Sequence, residues 1–336
     1  MNNEIKLSII IPIYNGGRYL STCLDSVVNQ TIEEYEIICI NDGSTDNSFD
    51  VLEEYKRKYP ELIKVYHKEN QGVWKAREFG ISVATGEYIG FCDCDDIVDK
   101  SMYEKMYSSI IQSKADMVIC AFVRVDDETG KVGKAEMNGW GNATLNMTEE
   151  KEQFALFNTA PWNKMIRRDI IQKHVKFDKP PRVAEDMMLL LSVYPSIKKV
   201  ELIAEPLYYY YVRKNTAMTY FRLEEMNVFQ QSMLITQQYV INNGGVVWED
   251  VVELFVLIHM GLSVILRAEA KKSKECIKRV YNYLENHFQN WKRNKYLSIF
   301  MHKRLLKIYL IMLCYKTKLI YFIGRFNKLF LKMIGW

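Results

Sequence analysis

The stretch Gly86 to Asp99, GEYIGFCDCDDIVD, decides how this chain is read. A run with strand character, Tyr88 to Cys92, stops abruptly at Asp93, Asp95 and Asp96. Residues two apart on an extended chain point the same way, so Asp93 and Asp95 present two carboxylates on one side just beyond the strand. Hard divalent cations take oxygen ligands, often one or two carboxylates completed by phosphate and water. The pair therefore reads as a seat for a cation carrying a nucleotide diphosphate. A helix-loop-helix calcium loop is the alternative, because Asp93, Asp95, Asp99 and Glu104 fall at its positions one, three, seven and twelve. Ile97 and Val98 stand where that loop needs an oxygen ligand and a glycine, and the preceding segment reads as strand. Asp96 reads as a cap for the helix that follows.

On both sides of this stretch, β-branched runs alternate with amphipathic segments. Strands are expected at Leu7–Ile13, Glu36–Ile40, Ile63–His67, Tyr88–Cys92 and Met117–Val123, with helices between them. Continuous apolar strands separated by helices imply an α/β fold, a Rossmann-like, mostly parallel sheet covered on both faces. Ligands of such sheets bind beyond the carboxyl ends of the strands. Tyr14 and Asn15, Asn41 to Asp46 and the aspartate cluster all fall there. Asp126 to Met147, rich in Gly, Asn and charge, reads as an irregular excursion or hairpin. Thr148 to Asn158 reads as a helix capped by Thr148, with a further helix around Asp186 to Leu191. Two strand-like segments follow, Val200–Ala204 and Leu207–Val212, and from Leu223 onward the pattern is helical. The domain division expected is 1–216 and 217–336.

The 336 residues are 49% hydrophobic and 26% charged, ordinary for a folded protein with a sizeable core. Seven cysteines are odd in number and scattered, several inside apolar runs, which points to reduced thiols and a cytoplasmic setting. The apolar run Leu7 to Ile13 is too short for a signal peptide. The net charge of +4 hides an asymmetry, since Asn286 to Trp336 holds eleven Lys or Arg and no acid.

Single motifs leave alternatives open. In NDGSTDNS, Asn41 to Ser48, Asp46 or Ser44 suits an N-cap, whereas Asp42 at the strand terminus offers acceptors to the N–H of a nucleobase. In ENQGVWKAREFG, Lys75 and Arg77 sit near the start of a helix, either solvated or facing an anion. Glu185 and Asp186 open an apolar helix, as complements to its dipole or as a general base. In EPLYYYYVRKNT, Glu205 to Thr216, the four tyrosines serve as packing or as aromatic faces for a sugar.

Taken in order, SIIIPIYNGGRYL, IICINDGSTDNS, NQGVWKAREFGISVATGEYIGFCDCDD, WNKMIRR, AED and EPLYYYYVRKN resemble successive signatures of the family 2 inverting glycosyltransferases with the GT-A fold, over roughly residues 5 to 216. The resemblance implies a UDP-sugar donor, a Mn2+ or Mg2+ ion and direct displacement at the anomeric carbon. It implies that Asp42 contacts uracil and that Arg77 helps hold the base or diphosphate. Asp93 to Asp95 becomes a DxD motif, with Asp95 the metal ligand and Asp93 a ribose or water-mediated metal contact. Pro12, Tyr14, Asn15, Lys75 and Cys94 complete the nucleotide-binding set. Asp186 becomes the base, with Glu185 sharing that role, and Trp162, Asn163 and Lys164 match a motif near the sugar or acceptor. A sugar-nucleotide nucleotidyltransferase is the rival, but NGGRYL is a poor version of its Gly-rich, basic loop. A noncatalytic module binding a metal or sugar nucleotide would need no base.

The tail lies outside the shared core. At 100° per residue, Lys318, Arg325, Lys328 and Lys332 form one narrow stripe opposite Leu319, Phe322, Phe326 and Leu329, a basic amphipathic helix. Its longest uncharged run, Ile308 to Tyr315, cannot span a bilayer. Residues 303–336 are expected either to pack on the catalytic domain or another subunit of a homo-oligomer, or to dock on anionic lipid at the inner membrane face, where a lipid-linked glycan is the acceptor. The interleaved aliphatic residues argue against nucleic acid.

Overall fold

A computed structural model describes residues 4–137, 141–174, 184–213, 223–262, 273–288, 291–297 and 313. The apolar runs of the first half form strands in parallel register. β1 (Leu7–Ile13) lies between β2 (Tyr35–Asp42) and β4 (Tyr88–Phe91), and β2 pairs outward with β3 (Ile63–Lys68). Every residue of β1 is buried because helices cover both faces. Leu7, Ile9, Ile11 and Ile13 share a core with α1 (Gly17–Val28), α2 (Ser48–Lys58) and α4 (Met102–Ser113). Ile10 points to the other face, where α3 (Val73–Val83) packs so closely that a Cβ on Gly80 would stand 2.5 Å from the Ile10 side chain. Pro12 is tolerated in this central strand because it lies past the last β4 partner, Phe91 opposite Ile10.

The second half is mixed. The sheet runs β3-β2-β1-β4-β8-β6-β9-β5. The short strand β8 (Lys164–Arg167) is antiparallel to both β4 and β6 (Met117–Asp126). β9 (Lys199–Val212) runs parallel to β6 and pairs antiparallel with β5 (Ile97–Val98) and β7 (Ala143–Asn146). The two segments expected around Val200 and Leu207 are thus one strand, whose register on β6 shifts where Pro206 cannot donate. The 126–147 excursion folds back on β6 through bridges at Val132 and Glu136 before forming β7. Thr148 to Asn158 is not the α-helix expected. Lys151–Leu156 is a 3-10 turn, and Thr148 donates to Asn146 Oδ1 instead of capping a helix. Helices α5 (Arg168–His174) and α6 (Glu185–Val193) complete the layers.

At the amino ends of the parallel strands, one buried carboxylate ties four segments together. Glu36 accepts from Ser8 Oγ of β1 at 2.6 Å, Lys64 Nζ of β3 at 2.6 Å, and Thr85 N, just before β4, at 2.7 Å.

The chain divides into two compact units, residues 1–150 with 158–213, and residues 151–157 with 214–336. The described part of the second unit is helical: α7 (Leu223–Gly244), α8 (Glu249–Val256), a π-helical turn at Leu257–Leu262 and α9 (Ser273–His287). Its core includes Val251, Phe255, Ile277, Leu284 and Trp291. Among the described residues no helix is long and apolar enough to cross a membrane. The amphipathic helix expected within 303–336 lies outside the described residues, apart from Leu313.

Candidate active site

The turns after β1 and β2 are sewn to each other. Asn15 adopts the left-handed conformation at φ 52°, which Asn tolerates better than most residues. Its Oδ1 accepts from Thr45 N at 2.8 Å, and its N–H donates to Ser44 Oγ at 3.0 Å. Asp46 accepts from Gly17 N at 2.9 Å and Ser48 N at 3.0 Å. Asn15 therefore spends its side chain on the loop, Pro12 is interior, and Cys94 Sγ lies 2.8 Å from where a Cβ on Gly16 would stand. Tyr14 is 55% exposed and presents its ring to solvent.

Asp42, buried at the end of β2, accepts from Lys68 Nζ, Gln71 N (3.1 Å) and Gly72 N (2.7 Å). It shapes the segment leading into α3. Gly43 is required beside it, because at φ 72° a Cβ there would also lie 2.7 Å from Asn70 N. Lys75 pairs with Glu78 on the α3 surface.

Arg77 is where distant parts of the sequence meet. Its guanidinium, buried at 5% exposure, donates from Nη1 to Asp186 Oδ1 and from Nη2 to Asp93 Oδ1 at 3.2 Å. The fold thus brings Asp186 to the aspartate cluster, and Arg77 turns both Nη groups to the protein's own carboxylates. Burial opposes charge on Arg77, but Asp186, Asp93 and Glu185 together hold it above its ordinary value. Burial pushes Asp93 up to about 6 against the pull of Arg77, with Asp186 and Asp95 adding repulsion. Burial, then repulsion from Asp186, pushes Glu185 up to about 7.

Asp96 is not a helix cap. α4 begins after Ser101, and Asp96 is buried at 1% exposure. It accepts from Tyr208 Oη and Tyr211 N, both at 2.8 Å, and Tyr208 Oη in turn accepts from Asp93 N at 3.2 Å. The tyrosine run is thereby clamped to the aspartate loop. Burial, with Asp93 and Asp95 nearby, raises the Asp96 carboxyl well above the usual range.

Trp162, Asn163 and Lys164 are all interior. Trp162 stacks on Tyr208 at 4.2 Å and on Tyr210 at 5.7 Å. Asn163 Nδ2 donates to Cys120 O at 2.7 Å. Lys164 Nζ donates to Asn158 O and Ala160 O, each at 2.7 Å, and to Asn163 Oδ1 at 2.9 Å. Burial pushes this amine down to about 7. Trp162 is thereby packed on the tyrosine run, and Asn163 and Lys164 are held by backbone carbonyls and each other.

Arg213, at the end of β9, was not singled out from the sequence. Its Nη1 donates to Asp95 Oδ2 at 2.8 Å, and its Nη2 to Asp95 O. It lies within the EPLYYYYVRKN stretch, but only the pairing of β9 with β5 and β6 carries it to the aspartates.

The residues fit a divalent cation. Asp95 is 39% exposed and Asp93 28%, and a guanidinium already stands at the outer carboxylate where a cation is wanted. Among the described residues no group of three or more His, Cys, Asp or Glu could hold a metal. Two carboxylates, with diphosphate and water supplying the remaining oxygens, match the habit of hard cations.

Residues 8–175 match the family described as Glycosyl transferase family 2. The chain belongs to that family. This glycosyltransferase is 32% identical over 216 residues to the uncharacterized glycosyltransferase EpsJ of Bacillus subtilis, covering 62% of each chain. It is 32% identical over 215 residues to the poly(ribitol-phosphate) beta-glucosyltransferase of Bacillus spizizenii, covering 63% of this chain and 33% of the other. The alignments therefore span less than two thirds of either relative. Among solved structures, S. aureus TarS 1-349 in complex with UDP-GlcNAc superposes with a TM-score of 0.72, at 18% identity over 96% of this chain and 92% of that one. This places the glycosyltransferase in the GT-A fold.

Proposed function

We propose that this glycosyltransferase moves a sugar with inversion from a UDP-sugar to a glycan acceptor in the assembly of a cell-surface polymer. The observation that carries the reading is the Arg77 bridge. It holds Asp186 beside Asp93, so one carboxylate fit to take a proton stands next to the pair fit for the cation of a diphosphate. Arg77 engages Asp186 Oδ1, which leaves Oδ2 to accept the proton of an acceptor hydroxyl as that oxygen attacks the anomeric carbon. Direct displacement turns an α-linked donor into a β-linked product, with UDP as leaving group. Asp95 and Asp93 would hold Mn2+ or Mg2+, whose chemistry is to neutralise charge on the departing diphosphate. Asp42, Tyr14 and the loops fixed by Asn15 and Asp46 line the nucleoside end.

The relatives support both substrate classes: one is named for glucosyl transfer to poly(ribitol-phosphate), and the TarS complex holds UDP-GlcNAc. A lipid-linked glycan at the cytoplasmic face of the membrane is the acceptor that suits the basic tail.

Release of UDP on adding donor and acceptor tests the reading. Asp186→Asn is expected to lower turnover about 1000-fold or more, in the upper part of the range for a lost general base, with UDP binding intact. Turnover near that of the parent enzyme would remove Asp186 from the role.

A further inference from the structure

The two carboxylates assigned to the cation are guarded unequally. Asp93 faces Arg77, which is fixed from two sides by Asp93 and Asp186. Asp95 faces Arg213, whose guanidinium holds its outer oxygen Oδ2 at 2.8 Å and its backbone carbonyl as well. The Arg213 side chain is only 10% exposed, and its guanidinium lies 4.0 Å from the centroid of the Tyr19 ring, a cation–π distance. Its Nε is buried without a hydrogen-bond partner among the described residues, although Asp127 Oδ1 is 3.7 Å away.

A divalent cation held by Asp95 would need a carboxylate oxygen of its own. The guanidinium, 10% exposed, already occupies Oδ2, and a second positive centre on the same carboxylate would repel it. Cation and Arg213 therefore compete. We infer that Arg213 is an internal counter-ion that closes Asp95 until the diphosphate of the donor arrives, so that metal and nucleotide bind as a coupled pair.

The inference rests on the assignment of the cation to Asp95 made above. The diphosphate supplies the negative charge that draws the guanidinium away from Asp95, which the metal alone does not do. Asp127, 3.7 Å from Nε, offers the displaced side chain a second resting place. Such coupling is reciprocal: whatever factor UDP contributes to metal affinity, metal contributes to UDP affinity. Arg213 is thus a positioning residue for the donor-binding step.

The test is a titration of the full chain with Mn2+, free ion read by its electron paramagnetic resonance signal, with and without UDP. The parent enzyme is expected to bind Mn2+ weakly alone and more tightly with UDP. Arg213→Gln should tighten binding of Mn2+ alone about 10-fold, within the usual span of coupling factors, and shrink the enhancement by UDP by the same factor. Arg213→Lys, which keeps a cation but not the fork, should fall between. Unchanged or weaker binding of Mn2+ alone by Arg213→Gln overturns the inference. Asp95→Asn separates this failure from the one beneath it. If that variant binds Mn2+ as the parent does, the metal assignment itself is wrong. Should Arg213→Gln fail to fold, Tyr19→Leu carries the test. Loss of the ring should loosen the guanidinium and tighten Mn2+ binding about 2- to 5-fold, and no change would again overturn the inference.

Discussion

The inner and outer carboxylates of the DCDD stretch lie two residues apart and are served by the two halves of the sheet. Asp93 belongs to the parallel half. Its arginine comes from α3, is buried, and reaches across to Asp186. Asp95 belongs to the mixed half. Its arginine comes from the end of β9, rests on Tyr19, and donates to Asp95 and to Tyr211 O at 3.2 Å, with Asp127 and Asp96 at 3.7 and 4.0 Å. Arg77 hydrogen-bonds two carboxylates at once, whereas Arg213 hydrogen-bonds only one, Asp95, which is 39% exposed, and is the more readily exchanged. The difference shows how one short acidic run holds a fixed element and a replaceable one.

Breaking the inner side should have the larger effect. Arg77→Met leaves Asp93 and Asp186 facing each other with no cation between them, and is expected to cost about 3 kcal/mol of stability, the scale for removing one partner of a buried pair. Urea denaturation measures this, and sugar transfer should be lost along with it. A loss below about 0.5 kcal/mol would mean that Arg77 is as exchangeable as Arg213.

A smaller effect is expected where the halves are clamped together. Tyr208→Phe removes the hydroxyl that donates to Asp96 and accepts from Asp93 N. An unsatisfied buried acceptor should cost about 1–3 kcal/mol. The same denaturation measurement checks it, and an unchanged midpoint would show that the tyrosine run is not what fixes the aspartate loop.

The smallest effect is one of pH. Glu185 is raised from 4.5 to about 7 by burial and by Asp186, so between those values the folded state binds more protons than the unfolded one. Stability from this group therefore falls as pH rises from about 4.5 to about 7, and the penalty is complete above that. Glu185→Gln should gain stability near pH 8 and little near pH 4.5, flattening the profile. Parallel profiles for variant and parent would show that Glu185 does not titrate in this window.

How much of this was legible in the sequence differs between the same two halves. Leu7–Ile13 was read to the residue, and the other parallel strands to within a few residues at each end, because strands buried on both faces are continuous apolar runs. In the mixed half, β5, β7 and β8 have two to four residues each, too few for a period to show, and they exist because long neighbours offer them an edge. The aspartates and the Glu185–Asp186 pair stood out as charge against apolar context. The role of Asp96 did not, because a carboxylate satisfied by a tyrosine more than a hundred residues away looks locally like any acid before a helix. Arg213 was hidden for the same reason, since only strand pairing brings it to Asp95.

Glu36 has a consequence for how such a scaffold can diversify. It pins the amino ends of the parallel strands and the turn before β4, at the end of the sheet opposite the aspartates. Insertions and exchanges in the loops at the carboxyl ends of the parallel strands leave this knot untouched. Loop grafts between relatives with different sugar preferences should therefore keep their sheet register while Ser8, Glu36, Lys64 and Thr85 travel together, which makes these four positions the natural junction set for building chimeric transferases.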